Sequence, residues 1–197
     1  MKRSVGVWQM VGFIFTGVAG TLLHFLYEWT GENPVVGAFS AVNESIWEHM
    51  KLLFFPMLLF SFIEYTVIGK EYPSFWCVKA FGTLVGLLLI PVLYYTYTGA
   101  LGIHVDWFNI TIFFIAAAVV YWLEARLLKK GIPFCIPVLG LGFLLALGLV
   151  FIFLTFFPPA LPLFQPPQLQ TAIARVPASI NIKPISAFRD SFSLNTK

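Results

Sequence analysis

Three histidines and a gathering of acidic and amide residues are best placed to do chemistry in this chain: His24, His49 and His104, with Glu28, Glu32, Asn43, Glu44, Glu48 and Asp106. His24 and Glu28 stand four apart, as do Glu44 and Glu48, and Ser45 and His49, so each pair shares a face if its segment is helical. Imidazole and carboxylate are the usual ligands of zinc and similar ions. One reading is therefore a metal site built from His24, His49 and His104 with a carboxylate. The plainer reading is a hydrogen-bonded His/Glu network that fixes a loop against helix ends, because the spacing matches no established motif such as His-Glu-x-x-His. A Ser45/His49/Asp106 nucleophilic set can also be drawn. Geometry defines a triad, however, and a Ser45-x-x-Glu48 capping box explains Ser45 and Glu48 without catalysis. Glu48 and Lys51 read as a helical ion pair at the surface, where such pairs contribute little.

Glu64 stands apart because it falls within a long apolar run. A carboxylate at membrane depth costs about 3 kcal/mol on insertion scales unless it is protonated, paired or hydrated. Two roles stay open for it: a partly hydrated side chain near a helix end, or a proton or cation relay facing the interior of a bundle.

The elements that must position these groups follow from composition. The 197 residues are 59% apolar, 18% aromatic and 11% charged, against about 25% charged in soluble domains. So few charges cannot coat a soluble core, which excludes an ordinary cytosolic enzyme and a disordered chain. A net charge of +3 without a basic run excludes nucleic acid as a partner and leaves the lipid bilayer. About 20 apolar residues span a bilayer as a helix, and five segments meet or approach this: 8–27, 52–69, 80–98, 107–123 and 133–157. The expectation is an all-α integral membrane bundle of five transmembrane helices. The first is read as uncleaved, since its apolar run exceeds a signal core and no Ala-x-Ala site follows.

Three signals give an orientation. Placing the N-terminus in the cytoplasm puts Lys2, Arg3, Lys70, Lys79, Arg126, Lys129 and Lys130 inside and leaves Lys51 as the basic residue of the outer loops, as cytoplasmic enrichment in Lys and Arg requires. The same arrangement puts Trp8, Trp76 and Trp122 at the inner interface and Trp29, Trp47 and Trp107 at the outer one, with Tyr94, Tyr95 and Tyr97 adding to the outer belt. It also places Cys77 and Cys135 near the cytoplasm, where thiols stay reduced, so no disulfide is expected.

The first outer loop, 28–51, opens with a turn at Thr30-Gly31-Glu32-Asn33-Pro34. It continues through 35–42, apolar but too short to span, which fits a re-entrant or interfacial segment. The second helix is expected to start near Ile46, with Pro56 and Pro91 kinking the second and third helices. Gly82-x-x-x-Gly86 permits close helix approach. Gly140-x-Gly142 lacks the strand–turn–helix setting of a nucleotide site, so no cofactor is implied. From 158 to 197 prolines and polar residues dominate, reading as a poorly ordered extracytoplasmic tail.

The runs His24-Phe25-x-Tyr27-Glu28-Trp29 and Ser40-x-Val42-Asn43-Glu44-Ser45-Ile46-Trp47-Glu48-His49-x-Lys51-Leu52, then Phe55-Pro56, Tyr95-Thr96-Tyr97-Thr98-Gly99 and Pro158-Pro159-x-x-Pro162-Leu163-Phe164, resemble a family of small bacterial multi-pass membrane proteins of unknown function. The similarity spans roughly 8–165; residues 166–197 depart from it. It implies a multi-pass plasma-membrane protein and brings no activity with it. Three functions are carried forward: an ion or small-molecule binding or transport module using the His/Glu cluster and Glu64, a metal-dependent membrane hydrolase using three histidines, and a structural subunit.

Overall fold

The computed structural model describes residues 4–103, 105–131 and 135–167, with the backbone alone at Asp106. His104 and the tail from residue 168 lie outside the described residues. The chain divides into two units, Met1–Pro167 and Gln168–Lys197, and the fold below is that of the first.

It is all helical, with no strand among the described residues. The helices are α1 (Val5–Trp29), α2 (Pro34–Gly37), α3 (Ile46–Val67), α4 (Phe75–Leu101), α5 (Asp106–Lys130) and α6 (Pro137–Phe156), with 3-10 turns at Gly69–Glu71 and Pro162–Phe164. Five of them, all but the single turn α2, are long and apolar enough to cross a membrane. α1, α4 and α5 outrun their apolar stretches at both ends, α5 running on through Glu124 to Lys130; α3 starts six residues before position 52 and stops at Val67, and α6 is shorter than the expected 133–157. Gly102 and Gly131 terminate α4 and α5 with positive φ, a conformation without penalty only for glycine.

α4 packs against α3, α5 and α6, and α1 against α3 and α5. Side-chain pairs from opposite ends of the helices show the antiparallel arrangement. Gln9 of α1 meets Glu64 of α3, Thr16 of α1 meets Tyr121 of α5, and Tyr97 of α4 donates to Asn109 of α5 at 2.6 Å. One end of the bundle, the loop end, gathers the start of α3, the end of α1 and α2. The other, the turn end, gathers Gly69–Glu71 and the start of α4.

Close approach depends on small residues. Pro56 has no N–H, so the Leu52 carbonyl loses its usual helical partner. That oxygen faces Gly20 of α1, where an added Cβ would lie 2.9 Å from it and 2.7 Å from the Phe113 ring. Gly86 receives Val120 of α5 in the same manner, and Gly140 lets α6 approach the Trp76 backbone.

Two expectations are corrected here. Cys77 and Cys135 are joined in a disulfide, with Cα atoms 6.0 Å apart. The expectation of free thiols assumed only a compartment. The structure brings the starts of α4 and α6 together at Gly140, and the two sulfurs meet there. The tryptophans also divide. Trp29, Trp107 and Trp122 are exposed, but Trp47 and Trp76 are buried core residues. Trp47 stacks between Phe151 of α6 and Phe164 of the Pro162–Phe164 turn, with centroids 4.5 and 4.6 Å away.

Gly20→Ala is expected to destabilise the protein by about 1–3 kcal/mol, since the added methyl meets a backbone carbonyl that cannot rotate away. Gly142→Ala, with nothing within 4 Å of the added carbon, should be neutral or stabilising. Thermal unfolding of the two variants in the same detergent checks the pair.

Candidate functional site

The segment 43–51 is decoded by its hydrogen bonds. Asn43 Oδ1 accepts the Ser45 N–H at 2.8 Å, and Ser45 Oγ caps α3 by accepting the Glu48 N–H at 3.4 Å. Half of the expected capping box is therefore present. The Glu48 carboxylate does not return to Ser45. It accepts the Val42 N–H at 3.1 Å and pairs with Lys51.

This ion pair is not the surface pair expected from the sequence, because both side chains are fully or almost fully buried. Lys51 Nζ also donates to the Gly37 carbonyl at 2.8 Å and to Thr155 Oγ1 of α6 at 3.0 Å. One ammonium thus ties α2 and α6 to α3. Ser40 Oγ donates to the Leu23 carbonyl, fastening the loop to α1. The 35–42 stretch is folded back on the helix ends by these two anchors.

The remaining residues of the motif turn toward the rim. His24, Glu44 and His49 converge, with ligand atoms all within 4.8 Å of one another. Glu44 Oε1 lies 3.7 Å from His24 Nε2, and Glu44 Oε2 lies 3.6 Å from His49 Nε2. The His49 ring is oriented by its second nitrogen, Nδ1, 2.9 Å from the Ser45 carbonyl. A carbonyl only accepts, so Nδ1 carries a hydrogen and Nε2 is the nitrogen turned to Glu44. Either a proton on Nε2 or a metal ion between the two groups completes this contact. Metal-bound imidazoles are oriented in this way, donating the other N–H to a carbonyl or carboxylate. Beside the centre, Glu44 and His49 line a cavity of about 20 Å³ with Ile90, Tyr94, Asn109 and Phe113, room for one water-sized occupant.

The other proposed residues are distributed as follows. Glu28 and Asn43 are exposed at the same end, outside the convergent trio. Ser45 Oγ is engaged as the helix cap, and its contact with His49 runs through its carbonyl, so the nucleophile–base hydrogen bond of the Ser45/His49/Asp106 set is not formed. His104 and the Asp106 side chain lie outside the described residues.

Glu64 occupies a second centre toward the turn end, and here the sequence reading missed most of the participants. Glu64 is fully buried, with Oε1 bonded to Gln9 Nε2 and Oε2 2.6 Å from Lys79 Nζ. Lys79 also pairs with Glu124 of α5, and both are buried. The apolar run from 80 leaves Lys79 in the loop before the third helix, and the structure corrects this: Lys79 lies within α4, 1% exposed. Glu124 escaped notice because it falls one residue beyond the apolar run ending at 123. Gln9 was the detectable signal, an amide inside an apolar stretch of α1.

Five apolar helices closed over buried charge pairs define a multi-pass membrane protein. More particularly, the chain belongs to DUF6512, a family of unknown function whose model matches residues 1–169. No curated protein and no solved structure matches it.

Lys51→Met is expected to cost about 3–5 kcal/mol, because it leaves Glu48 buried without its counter-charge. The double variant Glu48→Leu with Lys51→Met should recover much of that loss. A double-mutant cycle by thermal unfolding measures the coupling.

Proposed function

We propose that the protein is a membrane-embedded ion-binding module, of the binding or transport class, whose working site is the His24–Glu44–His49 centre. The ligand class is a divalent transition metal that takes nitrogen and oxygen donors, zinc being the type case. The observation that carries this reading is the convergence of two imidazole Nε2 atoms on one carboxylate, with His49 Nδ1 already held by a carbonyl. Tetrahedral ligands at 2.0–2.1 Å from an ion stand about 3.3 Å apart, so the three ligand atoms, now within 4.8 Å of one another, would draw together by up to about 1.5 Å on binding. Three protein ligands leave a fourth position for water or a transferred group.

Purified protein should bind one zinc or cobalt ion per chain, release it to a chelator and remain folded without it. His24→Ala, His49→Ala and Glu44→Gln should each lower affinity at least about tenfold, whereas Glu28→Gln should not. Titration calorimetry and metal analysis read the result. Absence of binding, or affinity indifferent to all three substitutions, would leave the histidines as a structural network.

The orientation that accompanies this reading places the loop end, and with it the metal centre, outside the plasma membrane. Its support is the accessible charge. Lys70, Arg126, Lys129 and Lys130 are exposed at the turn end, and Lys51, the basic residue counted against the bias, is buried. The Cys77–Cys135 bond lies at the same turn end and weighs the other way, since disulfides persist in oxidising compartments. A reporter fused after Lys130 is expected to be active in the cytoplasm. Activity on the far side instead, with thiols resistant to alkylation until reduced, would reverse the orientation.

A further inference from the structure

We propose that Glu64 and Glu124 together bind one exchangeable proton inside the helix bundle, at a site completed by Lys79 and Gln9. This centre is separate from the rim histidines and stands whether or not a metal binds there.

Four helices bring the groups together: Gln9 from α1, Glu64 from α3, Lys79 from α4 and Glu124 from α5. The two carboxylates share one ammonium. Each has an oxygen on the same Nζ, so those oxygens are at most about 5 Å apart, close enough for two like charges to repel strongly in a dry interior. Two carboxylates against one ammonium leave one negative charge, and all three side chains are at most 1% exposed. A net charge in a bundle interior is neutralised rather than tolerated. The aromatic groups around the ammonium add none: Nζ lies 5.5 Å from the ring centroids of Phe75 and Tyr121, and Tyr121 is hydrogen-bonded to Thr16 at 2.7 Å. Arg126, the next cation along α5, stacks outward on Trp122 at 4.7 Å.

The hydrogen bonds point to the same vacancy in the charge balance. Glu124 Oε1 and Gln9 Oε1 are buried without a hydrogen-bond partner. Buried acceptors in folded proteins are nearly always satisfied, and a proton on Glu124 Oε1 would remove one charged acceptor from that pair of orphans. Close packing at Glu124 favours a proton over a metal ion. Glu124 is pressed against Gly82, where an added Cβ would lie 2.7 Å from Oε1. A sodium ion needs several oxygen ligands and space to stand among them, while a proton needs none. Gly82 is what permits the approach, so the Gly82-x-x-x-Gly86 spacing serves the acid as well as the helix contact.

The test is infrared spectroscopy of the full-length protein in lipid nanodiscs at neutral pH. The carbonyl stretch of a protonated carboxyl is expected at about one group per chain, shifting in deuterium oxide and identical in sodium and choline salts. Glutamate labelled with carbon-13 should move it. Glu64→Gln and Glu124→Gln should each abolish it, since the remaining carboxylate then pairs with Lys79 alone. Lys79→Met should raise it about twofold, as both acids become neutral. Three results overturn the proposal: no such band in the wild-type protein, a band that appears only when sodium is withdrawn, or a band that survives both Gln substitutions. The wild-type spectrum in the two salts is decisive by itself should a variant fail to fold.

Discussion

Charge buried away from water must find its counter-charge on another part of the chain, and this constraint organises the whole bundle. Lys51 and Lys79 are two of the largest fully buried side chains in the protein. Neither could occupy its place alone, because an ammonium in a low-dielectric interior costs several kcal/mol. Each is therefore met by carboxylate, and each draws in distant segments: α2 and α6 to Lys51, α3 and α5 to Lys79. Apolar packing holds helices together without strong directional preference in a membrane. The two lysines supply the register that apolar surfaces do not.

The two centres differ in what they leave unfinished. At Glu48–Lys51 the charges balance and the carboxylate, ammonium and adjoining backbone groups have partners, so this pair reads as architecture. At Glu64–Lys79–Glu124 the charges do not balance, and buried oxygens are left over. At the rim, His24 and His49 turn their Nε2 atoms to the one Glu44 carboxylate. Incomplete polar groups in an otherwise well-packed protein mark the places where something else binds. The Asn43–Lys51 segment joins both kinds of behaviour. Asn43, Ser45, Trp47, Glu48 and Lys51 build the helix start and its anchors, and Glu44 and His49, on the same turns, point to the rim.

Much of this architecture is legible in the sequence. Five apolar runs of bilayer length imply five helices, and Ser45 marks the start of α3, since a cap is a local interaction within one turn. The turn at Thr30–Pro34 is present too, with Gly31 and Glu32 in left-handed conformations and Asn33 capping α2. His24 and His49 could be placed at one end of the bundle by counting crossings. Length, hydropathy and capping depend on neighbours along the chain, and these a sequence displays.

What crosses from helix to helix is not displayed. Lys79 looked like a loop residue and Glu124 like the end of a span, because an apolar window ends where charge begins. The helices in fact continue past those charges and bury them against one another. Cys77 and Cys135 stand 58 residues apart, and only the packing of α6 on α4 through Gly140 makes them neighbours. Trp47 looked like an interfacial anchor until α6 and the Pro162–Phe164 turn closed over it. The sequence alone determined that this chain forms apolar helices and roughly where each begins, because those outcomes rest on local free energies. The tertiary structure decided which charges meet, which thiols bond and which indoles are buried, because each depends on the rotation and neighbours of whole helices.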